Sequence, residues 1–403
     1  MDHIVIVGAG QAGATVATRL RALGYDGPIT MIGDEPLLPY ERPPLSKAYL
    51  VGRIGRGRLF LRPAAFYTEQ RIDLITGRPV EEIDLAARVV RTGRGNVPFD
   101  QLVLTTGSRP LRLPARMGGD LPGIHALRTL EDVNRIAPEC RAGRRALIVG
   151  GGYIGLEAAA VLTALGMNVS LVEQAPRILQ RVAAAQTSDY FRALHRSHGV
   201  DIREGTALVR IEGETRAARA ALSTGEELDV DLVIVGIGVR ANDDLARAAG
   251  LSVNRGILVD NRGQTSDPRV WAAGDCTVFP WRGNMTRLES VQNAIDQSGV
   301  VAAAMLGRSD IYDPVPWFWS DQYDVKLQIA GLNAGHDHVV SRPGNREGSV
   351  SHWYFRDEEL LAVDAMNDPR SFMCGKQLLG AGCSPDPARI ADPKHDLKAL
   401  IAA

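Results

Sequence analysis

Apolar residues in this chain gather into short unbroken runs that end in glycine. Ile4-Val5-Ile6-Val7 leads into Gly8-Ala9-Gly10-Gln11-Ala12-Gly13, after which an amphipathic stretch continues to Leu23 and stops at Gly24. Ala146-Leu147-Ile148-Val149 leads into Gly150-Gly151-Gly152-Tyr153-Ile154-Gly155, and the stretch that follows continues to Leu165 and stops at Gly166. Each reads as a buried strand, a tight turn and a helix with a glycine just past its end. A second apolar strand follows each helix, at residues 29–32 and 169–172, and acids come next: Asp34-Glu35 and Glu173. The pattern therefore predicts two βαβ units of about 30 residues, each the size of a dinucleotide-binding half-fold.

Further strand-like runs end in small residues, at 101–107, 231–238 and 270–275. From Pro316 the character changes. Trp317-Phe318-Trp319-Ser320-Asp321-Gln322-Tyr323 opens an aromatic, strand-prone stretch that extends through Trp353-Tyr354-Phe355. Domain boundaries are expected near 112, 240 and 316.

The glycines have separable tasks. The first permits a tight turn and the second lets a pyrophosphate approach the backbone. The third lets helix pack on strand, while the helix N-terminus offers free N–H groups and a positive dipole end. One such motif among 42 glycines would be weak, but two with strand, helix, strand and acid in order are strong. Glu173 would accept hydrogen bonds from a ribose diol and repel a 2′-phosphate, which favours NADH over NADPH; Arg177 nearby works against that preference.

Composition narrows the class. The 403 residues carry 46 basic and 47 acidic side chains, so no general field draws nucleic acid or an anionic membrane. No apolar run approaches the roughly 18–20 residues that cross a bilayer, and the N-terminus has no basic region before its first strand. A cytoplasmic protein is expected. Cys140, Cys276, Cys374 and Cys383 form no CxxC pair, which argues against a disulfide framework or a zinc knuckle. His195 and His198 are expected to be exposed side chains without a third metal ligand. Only five of the 46 basic residues are Lys, and Lys47 alone falls in the first 325 positions. Arg does not reproduce a compact ammonium charge, so Lys47 invites a chemical role.

Several pieces together resemble the FAD-dependent, NADH-dependent ferredoxin reductases of bacterial oxygenase systems. They are residues 8–13, Pro43-Pro44-Leu45-Ser46-Lys47, Thr105-Thr106-Gly107, residues 127–132, residues 150–157, Gly274-Asp275 and residues 317–322. The resemblance implies an α/β, glutathione-reductase-like fold with two Rossmann-like domains, for FAD and NADH, and an α/β C-terminal domain. The FAD domain would be split over 1–112 and 240–315, the NADH domain would span 113–239, and the C-terminal domain would span 316–403.

The same resemblance assigns roles. Gly8, Gly10, Ala12 and Gly13 would cradle the FAD pyrophosphate, Asp34 or Glu35 its ribose, and Asp275 the ribityl chain. Arg42, Val80, Thr106, Gly107, Arg128, Gly274, Val291 and Trp319 complete the FAD set. Gly150, Gly152, Tyr153, Ile154, Gly155, Glu157, Glu173 and Gly238 would hold NADH. Lys47 beside the flavin, Glu157 in the first turn of its helix and Trp319 at the ring edge would be catalytic, with Lys47 and Glu157 paired.

Related disulfide reductases place a CxxxxC pair after the first Rossmann unit, whereas residues 36–60 here hold no cysteine. Hydride arriving from NADH would then leave the flavin as single electrons or pass to oxygen. The expected acceptor is an acidic 2Fe–2S ferredoxin, feeding an oxygenase and steered to the basic stretch that holds Arg42, Lys47, Arg53, Arg56, Arg58 and Arg62. Alternatives with this fold are a rubredoxin reductase, an NADH oxidase, or a slow NADH-sensing flavoprotein resembling apoptosis-inducing factor.

Overall fold

The structure, a computed structural model, describes residues 1–401. The chain forms two compact units, one from residues 1–42, 55–109 and 239–314, the other from 43–54, 110–238 and 315 onward. The short segment 43–54, grouped by sequence with the first nucleotide domain, belongs to the second unit.

The first unit is built on a parallel sheet ordered Val270–Ala272, Gln101–Leu104, Ile4–Val7, Ile29–Ile32, Ile72–Ile75. Ile4–Val7 and Ile29–Ile32 are buried at every position, as central strands are when both faces of a parallel sheet are covered. Val16 and Leu20 of the helix Gln11–Ala22 pack with Val301 and Ala302 of the helix Val291–Met305 in the core behind this sheet. Ser290 caps the latter helix by accepting from Asn293 N–H.

The second unit repeats the design. Its parallel sheet runs Asp201–Glu204, Asn168–Glu173, Arg145–Val149, Leu232–Val235, Ile124–His125, again with the first strand of the βαβ unit in the centre. In both sheets strand order reverses beside that central strand, which opens a crevice at its carboxyl end. Residues from 315 onward add an antiparallel sheet ordered Trp317–Gln322, Val325–Gly331, Glu359–Met366, Val350–Arg356, His338–Pro343. The helix Pro369–Ala381 covers this sheet through Phe372, Leu378 and Leu379, against Trp353, Phe355 and Val363.

One expectation is overturned here. His195 is fully buried, because it continues the Ser188 and Phe191 face of the helix Ala185–Ser197; only His198, just past the helix, is exposed.

Candidate functional site

The glycine turns have the geometry their spacing implies. Gly8 has φ +114, and a Cβ there would lie 2.2 Å from Thr105 O; a Cβ on Gly13 would lie 2.0 Å from Gly8 O. No side chain fits at either point. A Cβ on Gly10 would meet nothing, and no side chain caps the helix that starts after it. Free N–H groups therefore face open space, which is what a pyrophosphate needs.

The second turn matches. Gly150 has φ +107, a Cβ on Gly155 would lie 2.0 Å from Gly150 O, and Gly152 is open and leaves its helix uncapped. Both cradles fit a dinucleotide. Glu173 buttresses the second one, since its carboxylate accepts from Gly151 N–H and Ala175 N–H, each at 2.7 Å. Gly238 has φ +116 and its carbonyl accepts from Leu111 N–H at 2.9 Å; Ile154 is exposed at the start of the cradle helix.

Most residues expected to bind FAD lie in the first unit: Gly8, Gly10, Ala12, Gly13, Asp34, Glu35, Arg42, Val80, Thr106, Gly107, Gly274, Asp275 and Val291. Lys47, Arg128 and Trp319 lie in the second. Asp34 is exposed, whereas Glu35 is held by Arg42 and by the Tyr40 hydroxyl, both at 2.6 Å. Arg42 is thus drawn out of the basic stretch into an ion pair. Asp275 accepts from Ser108 Oγ at 2.8 Å, and Gln297 Oε1 accepts from Gly274 N–H at 2.8 Å. Thr106 and Asn242 exchange hydrogen bonds through the Thr106 hydroxyl, at 2.6 Å, and the Asn242 amide, at 2.8 Å.

Ser108, Asn242 and Gln297 were missed by sequence reasoning. Ser108 directly follows Thr105-Thr106-Gly107 and could have been suspected; the other two carry no local signal. Val291 opens its helix, Val80 starts a strand on a different sheet, and Arg128 N–H bonds Asp132 at 3.1 Å beside the Thr129 capping box.

The second unit brings two expected residues, Lys47 and Glu157, into contact. Lys47 interrupts the short turn Leu45–Tyr49, and its Nζ lies 3.0 Å from Glu157 Oε1 and 3.4 Å from Asp321 Oδ2. Ser320 Oγ donates to Glu157 Oε1 at 2.7 Å, and Ser46 Oγ lies 3.4 Å from Oε2. Glu157 falls in the second turn of the helix Tyr153–Ala164, not the first, so the helix terminus does not explain it. It is 7% exposed. Burial pushes its carboxyl above the usual range, while Lys47 and Ser320 pull the other way. Trp319, on the strand that carries Ser320, is half-buried and tilts against Trp317 and Phe318; Phe318 in turn packs on Tyr153 at 5.0 Å.

Two dinucleotide cradles in one chain suit an oxidoreductase that passes electrons from one bound cofactor to another. Residues 2–298 match the pyridine nucleotide-disulphide oxidoreductase family and residues 317–401 match the reductase C-terminal family, and the chain belongs to the first of these. It is 42% identical over 403 residues to rhodocoxin reductase of Rhodococcus erythropolis, covering 99% of this chain and 94% of that one. It is 40% identical over 411 residues to putidaredoxin reductase CamA of Pseudomonas putida, covering 100% and 97%. The solved covalent putidaredoxin reductase–putidaredoxin complex is similar with a TM-score of 0.96, at 40% identity and 100% and 98% coverage. The protein is an FAD- and NAD(P)H-dependent oxidoreductase. Unlike the family's name, its four cysteines are free, and none lies within residues 36–60.

Proposed function

We propose that this protein is an NADH:ferredoxin reductase that serves an oxygenase. The observation carrying this reading is a pair of open glycine cradles in a chain with no cysteine at 36–60, where related disulfide reductases place their redox pair. A bound FAD would supply the chemistry that joins a two-electron hydride donor, reduced nicotinamide, to a one-electron acceptor, a 2Fe–2S ferredoxin. The Gly8–Gly13 turn, with Asp275 set by Ser108, holds FAD; the turn at 150–155, with Glu173, holds NADH. Glu173 already carries a backbone N–H at each carboxylate oxygen, an anionic wall that a 2′-phosphate would face unfavourably.

The Lys47–Glu157 pair serves hydride transfer. Lys47 supplies a compact positive charge that stabilises negative charge developing on a reduced ring, and Glu157 keeps that ammonium in place. Trp319, half-buried on the strand that carries Ser320, contributes an aromatic edge to the flavin site. Arg53, Arg56 and Arg58 are exposed, make no ion pair among the described residues, and offer a docking surface to an acidic ferredoxin. No described helix is long and apolar enough to cross a membrane.

Following ferredoxin reduction optically with NADH or NADPH as donor tests this reading. Rapid reduction with NADH and a much slower one with NADPH is the expected result; no reduction by either donor overturns it.

A further inference from the structure

The surroundings of Glu157 extend well beyond Lys47. Ser320 Oγ donates to Glu157 Oε1 at 2.7 Å, and Gln322 Nε2 donates to Ser320 Oγ at 3.2 Å. Gln322 Oε1 lies 2.8 Å from His195 Nε2, and Tyr323 Oη lies 3.2 Å from His195 Nδ1. Ser320, Gln322 and His195 are each 0% exposed, so a bond left unmade there strands a buried polar group.

One charge sets the direction of the whole series. An ionised carboxylate only accepts, so the single hydroxyl proton of Ser320 goes to Glu157, and Ser320 can only accept from Gln322. Gln322 then turns its NH₂ to Ser320 and its oxygen to His195. That oxygen requires an N–H at His195 Nε2, which leaves Nδ1 as a bare acceptor for the Tyr323 hydroxyl. Every group donates towards Glu157. A protonated Glu157 could donate to Ser320 and permit the reverse order, ending in a histidine with its proton on Nδ1. The charge of Glu157 and the tautomer of His195 are therefore coupled, although the residues lie on different helices.

We infer that Ser320, Gln322 and His195 form a positioning chain that holds Glu157 ionised and paired with Lys47. This rests on the role given to Glu157 above. An amide in the middle does not pass protons on, so the chain orients the carboxylate and does not conduct. The titratable groups facing Glu157 are Lys47 and Asp321; those facing His195 are His198 and the Tyr323 hydroxyl. His198 stacks on Tyr323 with ring centroids 3.7 Å apart and ends the series at the surface.

The test uses the FAD-loaded protein and its Ser320→Ala, Ser320→Thr and Glu157→Gln variants, with flavin content per chain as the check on folding. Two quantities are read: the pH profile of flavin reduction at saturating NADH, and the His195 tautomer by nitrogen NMR. Removing the Ser320 hydroxyl takes away a donor to the ionised form, so the acid limb of the profile moves up by about one pH unit, and Thr restores it. In the parent at neutral pH the His195 proton sits on Nε2, and Ser320→Ala weakens that preference. A parent His195 with its proton on Nδ1 overturns the inference without reference to activity. An unmoved limb in Ser320→Ala, when Glu157→Gln is slow, overturns the chain alone. A Glu157→Gln variant as fast as the parent overturns the role of Glu157 and the inference with it.

Discussion

Glu157 Oε1 receives two groups at once: Lys47 Nζ at 3.0 Å and Ser320 Oγ at 2.7 Å. Lys47 and Glu157 come from distant parts of the sequence and meet in a site where both side chains are largely shielded from water, 18% and 9% exposed. In such surroundings a pair is worth less than the penalty for breaking it. Lys47→Met should therefore lower folding stability by about 3 kcal/mol, the usual penalty for stranding a buried charge. It should also slow flavin reduction by NADH more than tenfold. Denaturant melts and single-turnover traces on the same preparation separate the two effects. Lys47→Arg keeps the charge but not its compactness, and should recover stability better than rate.

The two kinds of glycine in the second cradle should behave differently. Gly155→Ala forces a Cβ to within 2.0 Å of Gly150 O, so the variant should lose stability outright. A Cβ on Gly152 meets no protein atom. Gly152→Ala should melt like the parent yet bind NADH at least tenfold more weakly, because the methyl occupies room meant for phosphate. Thermal melts alongside NADH titrations decide this, and equal melts with equal affinities would remove the cradle from the account.

Glu173 sets nucleotide preference in this reading. Glu173→Ala removes the acceptor of the Gly151 and Ala175 N–H groups and an anionic wall together. KM for NADH should rise about tenfold, the loss of one or two charge-assisted bonds, while the NADPH to NADH ratio of kcat/KM increases. An unchanged ratio would place nucleotide selection elsewhere.

The pH dependence of stability has opposing contributions. Burial lowers His195 and His352 from 6.5 to about 4, so the unfolded chain takes up protons that the folded one refuses, and stability is lost as pH falls from 6.5 to about 4. Asp364 goes the other way. Full burial raises it from 3.8 to about 6, although the Tyr354 and Thr187 hydroxyls that bond it pull the other way. It costs about 3 kcal/mol at neutral pH, and that cost disappears as pH falls through this window. Asp364→Asn should be more stable than the parent at neutral pH and should lose stability more steeply on acidification. Melting temperatures across the range check both signs.

Much of the fold was legible because its demands are local. A positive φ at Gly8 and a close approach at Gly13 exclude every side chain, so the requirement is written at those positions. Lys47 stands out by contrast, as the lone lysine of a long arginine-biased stretch, and its contact with Glu157 is in the structure. What stayed hidden depends on partners far along the chain. Ser108 meets Asp275, Thr106 meets Asn242, and Gln297 meets Gly274 only after strands have paired, and a serine or an amide carries no trace of that in its neighbours. His195 was misjudged because a charged helix suggests exposure, whereas its own face of that helix turns inward with Phe191. Glu157 was placed one turn too early on its helix, which made a dipole explanation look adequate.

Docking has its own test. Arg42 and Lys47 are held by Glu35 and Glu157, so Arg53, Arg56, Arg58 and Arg62 carry the exposed charge of the basic stretch, the first three of them closest in sequence to Lys47. Reversing these three to Glu should cut ferredoxin reduction at least tenfold at low salt and flatten its salt dependence, while reduction of ferricyanide stays near the parent rate. Equal loss with both acceptors would point to damage of the fold instead.

The most direct measurement is an anaerobic stopped-flow absorbance trace of the purified protein mixed with NADH and, separately, with NADPH. The account predicts an oxidised flavin band that NADH bleaches rapidly and NADPH bleaches slowly. A folded, FAD-supplemented preparation without a flavin band, or a band that NADH leaves untouched, would contradict it.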